Sequence, residues 1–193
     1  RDELLQAIRP VPIPANRPLT GLTILVVEDS LYASEAVRLL CLRSGARIRR
    51  ADCLRSAQRH LATYRPAVVI VDMGLPDGSG AALIRQVAAA HPAVPVILAT
   101  SGDPDTEPAA RAAGAHGFLP KPIASLAQFQ QAILTALPPD TQVMGLRLLP
   151  DEVIEPDPLA LRDDLAHVAD VLSAAPDTAA LDYIARFLAG VAR

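Results

Sequence analysis

From Leu22 to Leu137, short runs of aliphatic and β-branched residues alternate with stretches in which apolar positions recur every three or four residues. Thr23–Val27, Ala67–Val71 and Val94–Ala99 are almost continuously apolar. They lack the two-residue alternation of a half-exposed sheet, so they predict strands covered on both faces. A weaker strand is expected at Arg47–Ala51 and a fifth at His116–Leu119. Between them, helical periodicity marks Leu31–Ser44, Leu54–Tyr64, Gly80–Ala90, Asp105–Ala113 and Ser125–Leu137. Five such repeats predict an α/β fold, a doubly wound five-stranded parallel sheet with helices on both faces. In that architecture a ligand crevice lies at the carboxyl ends of the strands, where strand order reverses.

The flanks read differently. Residues 1–21 form an N-terminal extension, with a helix-compatible piece at Arg1–Ile8 followed by Pro10, Pro12, Pro14 and Pro18, too many prolines for a regular element. Residues 138–157 read as an irregular, proline-bearing connection, and 158–193 as a helical hairpin extension. Asp157-Pro158 supplies a cap and first-turn pair for its first helix, and Asp177 after Pro176 caps the second. Leu161, Leu165, Val168 and Leu172 form the expected apolar stripe of the first, and Leu181, Ile184, Leu188 and Val191 that of the second. Two helices cannot bury both stripes alone, so they must pack on the main domain, on a partner or on further chain.

Composition narrows the function. Half of the 193 residues are apolar, enough for a substantial aliphatic core, and the net charge of −3 argues against general nucleic-acid or membrane-surface binding. Residues 138–193 carry ten acidic and four basic residues, so the extension should repel DNA. Apolar stretches are far shorter than the roughly 20 residues of a membrane span, and no signal-peptide core is present. Cys41 and Cys53 have neither disulfide nor metal spacing and read as small buried hydrophobes. A cytoplasmic protein without nucleic-acid or membrane partners is expected. Of the eighteen basic residues only one is a lysine, Lys121, in Phe118-Leu119-Pro120-Lys121-Pro122. A lysine offers a compact charge on a flexible stem where arginine offers a planar fork.

The predicted strand ends carry the chemistry. The first ends in Glu28-Asp29, the third in Asp72, the fourth in Thr100-Ser101, and the fifth leads into Lys121. Three carboxylates in one crevice repel one another and call for a divalent cation; Mg2+ takes hard oxygen ligands, often one or two carboxylates together with phosphate oxygens. Asp72 opens the tight loop Met73-Gly74-Leu75-Pro76-Asp77-Gly78-Ser79-Gly80, and a carboxylate there can attack phosphorus to give an aspartyl phosphate. The cation, the Thr100 hydroxyl and the Lys121 ammonium can then meet the three phosphoryl oxygens.

With these residues in this order, residues 22–137 resemble the receiver domain of bacterial two-component response regulators, a flavodoxin-like fold. The resemblance implies Asp72 as phosphoacceptor, Asp29 as direct ligand of Mg2+, Glu28 acting through water, and the Gly74 carbonyl as the third protein ligand. It implies Thr100 as the hydroxyl that closes on the phosphoryl group, Phe118 as the switch aromatic, and Lys121 as the phosphate-binding lysine, followed by a cis bond to Pro122. The implied partner is a histidine kinase or phosphotransfer protein, and the implied role a phosphoacceptor rather than a turnover enzyme. Gly74, Ser101 and Gly102 are smaller than many receivers carry there, which predicts a site open to small donors and to water.

Alternatives differ in output. The chain reads first as a response regulator signalling by protein contact. A receiver module of a hybrid histidine kinase is the second reading, favoured by the linker-like Arg17–Leu22 and the absence of an initial Met. An aspartyl-phosphate hydrolase would place a second Asp where Gly74 stands. A phosphohistidine role for His167 lacks the residue pattern expected after it, and a solvated helix face is the simpler reading. Pro122–Pro139 contains no charged residue, so the outer face of the fifth helix is expected to be covered, either by the tail helices or by a second copy of the chain.

Overall fold

The computed structural model describes residues 13–141 and 150–191. The helix-compatible piece at Arg1–Ile8 and residues 142–149 of the connection lie outside them. The main sheet comprises β1 (Thr23–Val27), β2 (Arg47–Ala51), β3 (Val68–Asp72), β6 (Val96–Ser101) and β7 (Gly117–Pro120) in the order β2-β1-β3-β6-β7, all parallel. A two-residue antiparallel pair, β4 (Gly74–Leu75) and β5 (Gly78–Ser79), folds back in the loop after β3. The helices are α1 (Leu31–Ser44), α2 (Leu54–Thr63), α3 (Gly80–Ala88), α4 (Glu107–Ala113), α5 (Leu126–Ala136), α6 (Pro158–Ser173) and α7 (Thr178–Val191).

Successive strand residues feed opposite cores, the period-two consequence of the pleat. Leu25 and Val27 of β1 enter one cluster with α2, α3 and α4, through Ala57, Leu83, Ile84, Val87, Ala110 and Ala113. Ile24 and Val26 enter the other with α1 and α5, through Val37, Leu40, Phe129 and Ile133. The central strands are therefore covered on both faces, as their continuous apolar character predicts. Polar, half-exposed β2 (Arg-Ile-Arg-Arg-Ala) lies at an edge.

Boundaries differ from expectation by small amounts with local causes. The expected helix from Asp105 begins instead as a 3-10 turn at Pro104–Thr106, and α4 proper starts at Glu107 with Pro108 in its first turn, where a missing N–H costs nothing. Ser30, Ser79 and Ser125 cap α1, α3 and α5. Gly45 ends α1 at φ 83°, a left-handed conformation that favours glycine. Cys41 is buried as expected; Cys53 is half-buried and its Sγ caps α2, accepting from the Ser56 N–H at 3.4 Å.

The tail departs most. Its helices form at the expected places, with Asp157 accepting from the Leu159 N–H at 2.9 Å and Asp177 from the Ala180 N–H at 2.8 Å. They pack on α1 and over the carboxyl edge of the sheet rather than along α5. α5 packs on α1, β6 and β7, and its outer residues Gln128, Gln131 and Thr135 border an open groove. The connection touches its start: the Leu126 N–H donates to the Glu152 carbonyl at 3.0 Å, and Ile154 is buried in the adjacent core. α6 is also rotated from its expected stripe. Val168 and Asp164 face inward, while Leu165 and Leu172 are each 47% exposed. The polar contacts of Asp164 described below determine that rotation.

Candidate functional site

β1, β3, β6 and β7 deliver their ends to one edge, so Glu28, Asp29, Asp72, Thr100 and Lys121 meet although the sequence separates them. Asp72 stands beside Thr100 in the strand register. The Lys121 ammonium lies 2.6 Å from Glu28 Oε2 and 2.9 Å from Asp72 Oδ2, all three residues being buried. Asp72 Oδ1 accepts from the Gly74 N–H at 3.1 Å, and Glu28 Oε1 from the Ser30 N–H at 3.0 Å. The Thr100 hydroxyl donates to the Leu119 carbonyl at 2.7 Å, and Phe118 is half-buried against the α3–α4 side of the core. The Lys121–Pro122 peptide bond is cis.

Charge at this edge is crowded. Burial pushes the Glu28 carboxyl well above its ordinary range, Asp72 adds to the rise, and Lys121 opposes it. Burial also pushes Asp29 up to about 6; a hydrogen bond from Tyr183 pulls the other way, Asp72 raises it, and Lys121 lowers it. For Lys121 burial acts downward, but the charges and hydrogen bonds of Glu28 and Asp72 outweigh it, so the ammonium is held.

The cluster suits a small hard cation. Glu28, Asp29 and Asp72 each place a ligand oxygen within 4.8 Å of the others. Among the described residues, Asp29 Oδ1 is buried with no hydrogen-bond partner, and a buried acceptor left unpaired is costly unless something positive meets it. Gly80, at the far end of the loop, fixes how Asp72 is presented: a Cβ there would lie 1.9 Å from the Asp72 carbonyl oxygen, so only glycine lets α3 start this close.

The response regulator receiver domain profile matches residues 24–134. The chain belongs to the response regulator receiver family. It is 34% identical over 114 residues to the response regulator protein PilR of Pseudomonas aeruginosa, covering 58% of this chain and 25% of PilR. It is 33% identical over 115 residues to the KDP operon transcriptional regulatory protein KdpE of Escherichia coli, covering 59% of this chain and 50% of KdpE. The chain thus spans half or less of these relatives. Among solved structures it resembles a response regulator from Burkholderia pseudomallei with a phosphorylated aspartic acid, calcium ion and citrate. That match has 27% identity and TM-score 0.53, and covers 60% of this chain and 68% of the other. Receiver domains bind Mg2+ at an acidic site, and the cluster of Glu28, Asp29 and Asp72 is consistent with one; no helix among the described residues is long and apolar enough to cross a membrane.

Two residues at the site escaped the sequence reading, both from the tail. The Tyr183 hydroxyl of α7 donates a hydrogen bond to Asp29 Oδ2. Asp164 of α6, only 3% exposed, caps α1 from outside it. Its Oδ2 accepts from the Ser30 hydroxyl at 2.8 Å and the Tyr32 N–H at 3.0 Å, and its Oδ1 from the Leu31 N–H at 2.9 Å. The Leu31 and Tyr32 N–H groups are orphan donors of a helix N-terminus, where a carboxylate is favoured.

The site is also less open than its small residues predict. α7 occupies the space left by Gly74 and Gly102: a Cβ on Gly102 would lie 2.5 Å from the Ala189 carbonyl oxygen, and one on Gly74 3.7 Å from Arg186 Cβ. A cavity of about 530 Å³ remains beside Asp72 and Lys121, walled by Ala185, Arg186 and Ala189. His167 is exposed on α6, in keeping with a solvated face.

Proposed function

We propose that the chain accepts a phosphoryl group on Asp72 from a histidine kinase or phosphotransfer protein, and signals through a protein contact. The observation that carries this reading is the Asp72 carboxylate at the end of β3, 2.9 Å from the Lys121 ammonium and within the Glu28–Asp29 cluster. An Asp72 oxygen attacks phosphorus in line; the P–O bond forms as the P–N bond of phosphohistidine breaks, and the imidazole leaves with its electron pair. Asp29, Asp72 and the Gly74 carbonyl would hold Mg2+, with Glu28 acting through water. Bound there, the cation supplies charge neutralisation as the phosphoryl group transfers.

The chain's own residues do the rest. Lys121 meets one phosphoryl oxygen while keeping the crevice neutralised. Thr100 leaves the Leu119 carbonyl to meet another, and Phe118 answers that movement, a local charge event biasing a two-state element. The role is that of a phosphoacceptor without turnover of an external substrate. For this stretch a protein contact is the output that fits, because ten acidic against four basic residues in 138–193 disfavour binding of DNA by the tail itself.

Incubation with phosphoramidate and Mg2+, followed by intact mass, should add one phosphoryl group, and chelation of Mg2+ should suppress it. An unmodified mass in the presence of Mg2+ would refute the reading.

The crowded carboxyls give a second expectation. Asp29 and Glu28 lie above their unfolded values, so the stability they contribute is present below the ordinary carboxylate range and lost as pH rises through about 6 and beyond. A cation reverses this by favouring the ionised forms. Mg2+ should therefore raise Tm more at about pH 7.5 than at about pH 5.5. Equal shifts in differential scanning calorimetry would contradict this account of the crevice.

A further inference from the structure

We propose that the tail is part of the metal centre: Tyr183 of α7 is a positioning residue for Asp29, and Mg2+ binding and docking of α6–α7 reinforce each other. The inference rests on reading the acidic crevice as the Mg2+ site. Among the described residues, the three carboxylates there are held in two ways. Glu28 and Asp72 contact Lys121, whereas Asp29 receives the Tyr183 hydroxyl on Oδ2. Its second oxygen, Oδ1, stays buried and unpartnered. A carboxylate fixed through one oxygen and free at the other is set up as a monodentate ligand. Partners in the shell behind the ligands typically set metal affinity by about 10–100-fold.

Tyr183 can do this because α7 is itself firmly placed. Val168, Ile184, Phe187 and Val191 form a small core with Tyr32 of α1. Asp164 ties α6 to the first turn of α1, directly after Asp29. Gly102 admits the Ala189 carbonyl, and a Cβ on Gly190 would lie 3.2 Å from Lys121 Cδ, so the helix backbone rests on the loop and lysine that border Asp72. The hydroxyl therefore reaches Asp29 from a docked helix, and the order it imposes on Asp29 depends on that docking. Coupling between two binding events is reciprocal: whatever factor the docked tail adds to Mg2+ affinity, Mg2+ returns to docking of the tail.

The experiment uses the full chain. Mg2+ affinity is measured by isothermal titration calorimetry for wild type, Tyr183→Phe and Asp164→Ala, and amide exchange in residues 178–191 is followed with and without Mg2+. Tyr183→Phe should weaken Mg2+ binding by about tenfold. Asp164→Ala, which touches no carboxylate of the crevice, should weaken it too by loosening the tail. Mg2+ should slow exchange in α7 of wild type, and do so much less in Tyr183→Phe. Wild-type affinity in Tyr183→Phe, tighter binding in that variant, or faster α7 exchange on adding Mg2+ would each overturn the proposal while leaving the Mg2+ site standing. Failure of the wild type to bind Mg2+ at all would remove the site and the proposal together.

Discussion

Asp72→Asn is expected to take no phosphoryl group from phosphoramidate and Mg2+ under conditions that modify the wild type, and to fold nonetheless. The amide has no carboxylate oxygen to attack phosphorus, which accounts for the complete loss. Stability without the cation should stay within about 1 kcal/mol of wild type, because two effects oppose. The substitution removes a charged contact with Lys121 at 2.9 Å, but it also removes the carboxylate that pushes both Glu28 and Asp29 upward. With one carboxylate oxygen of each of Glu28, Asp29 and Asp72 within 4.8 Å of the others, those repulsions are comparable in size to the lost attraction. Lys121 keeps Glu28 at 2.6 Å. The variant should differ most in its response to Mg2+: with one ligand gone, the cation-dependent rise in Tm should largely disappear. Intact mass and calorimetry measure both halves. An adduct on Asp72→Asn would place the acceptor elsewhere, and an undiminished Mg2+ response would remove Asp72 from the ligand set.

The sheet was legible because its strands repeat one local signal. Val68–Val71 and Val96–Leu98 are apolar at every position, which only a strand covered on both faces tolerates. Once those strands are parallel, topology alone brings Glu28, Asp29, Asp72 and Lys121 to one edge, and no side-chain detail is needed. The docking of the tail carried no such signal. Asp164 sits in Arg162-Asp163-Asp164, which reads as a solvated face, and its role depends on meeting α1 134 residues away. Tyr183 adjoins Ile184 on the apolar side of α7, where an aromatic reads simply as core. A weak clue lay in the small residues: Gly102 has room for no Cβ beneath α7, but a glycine in a loop announces close approach without saying what approaches. The rotation of α6 was hidden for a related reason, since periodicity favours Leu165 and Leu172 facing inward, whereas three hydrogen bonds to one carboxylate outweigh that preference.

Lys121→Met should destabilise the fold by about 3 kcal/mol at about pH 8, the lower end of what breaking a buried ion pair costs. The thioether chain keeps the apolar stem against α7, so the change isolates the charge. It leaves Glu28 and Asp72 buried and facing each other without a cation. Glu28 has an escape: burial and Asp72 already push its carboxyl upward, Lys121 is what holds it down, and without the lysine it takes a proton more readily. Protonation relieves the repulsion, so the loss should be smaller at about pH 5.5 than at about pH 8. Urea midpoints at the two pH values give the difference, and Mg2+ should recover part of the loss at the higher pH by supplying the missing positive charge. Combining Lys121→Met with Asp72→Asn removes the uncompensated carboxylate along with its partner. The double variant should therefore lose clearly less than the sum of the two single losses, as expected for residues in direct contact. A cost for Lys121→Met that ignores pH, or additive losses in the double variant, would mean that the lone lysine packs against the crevice without neutralising it.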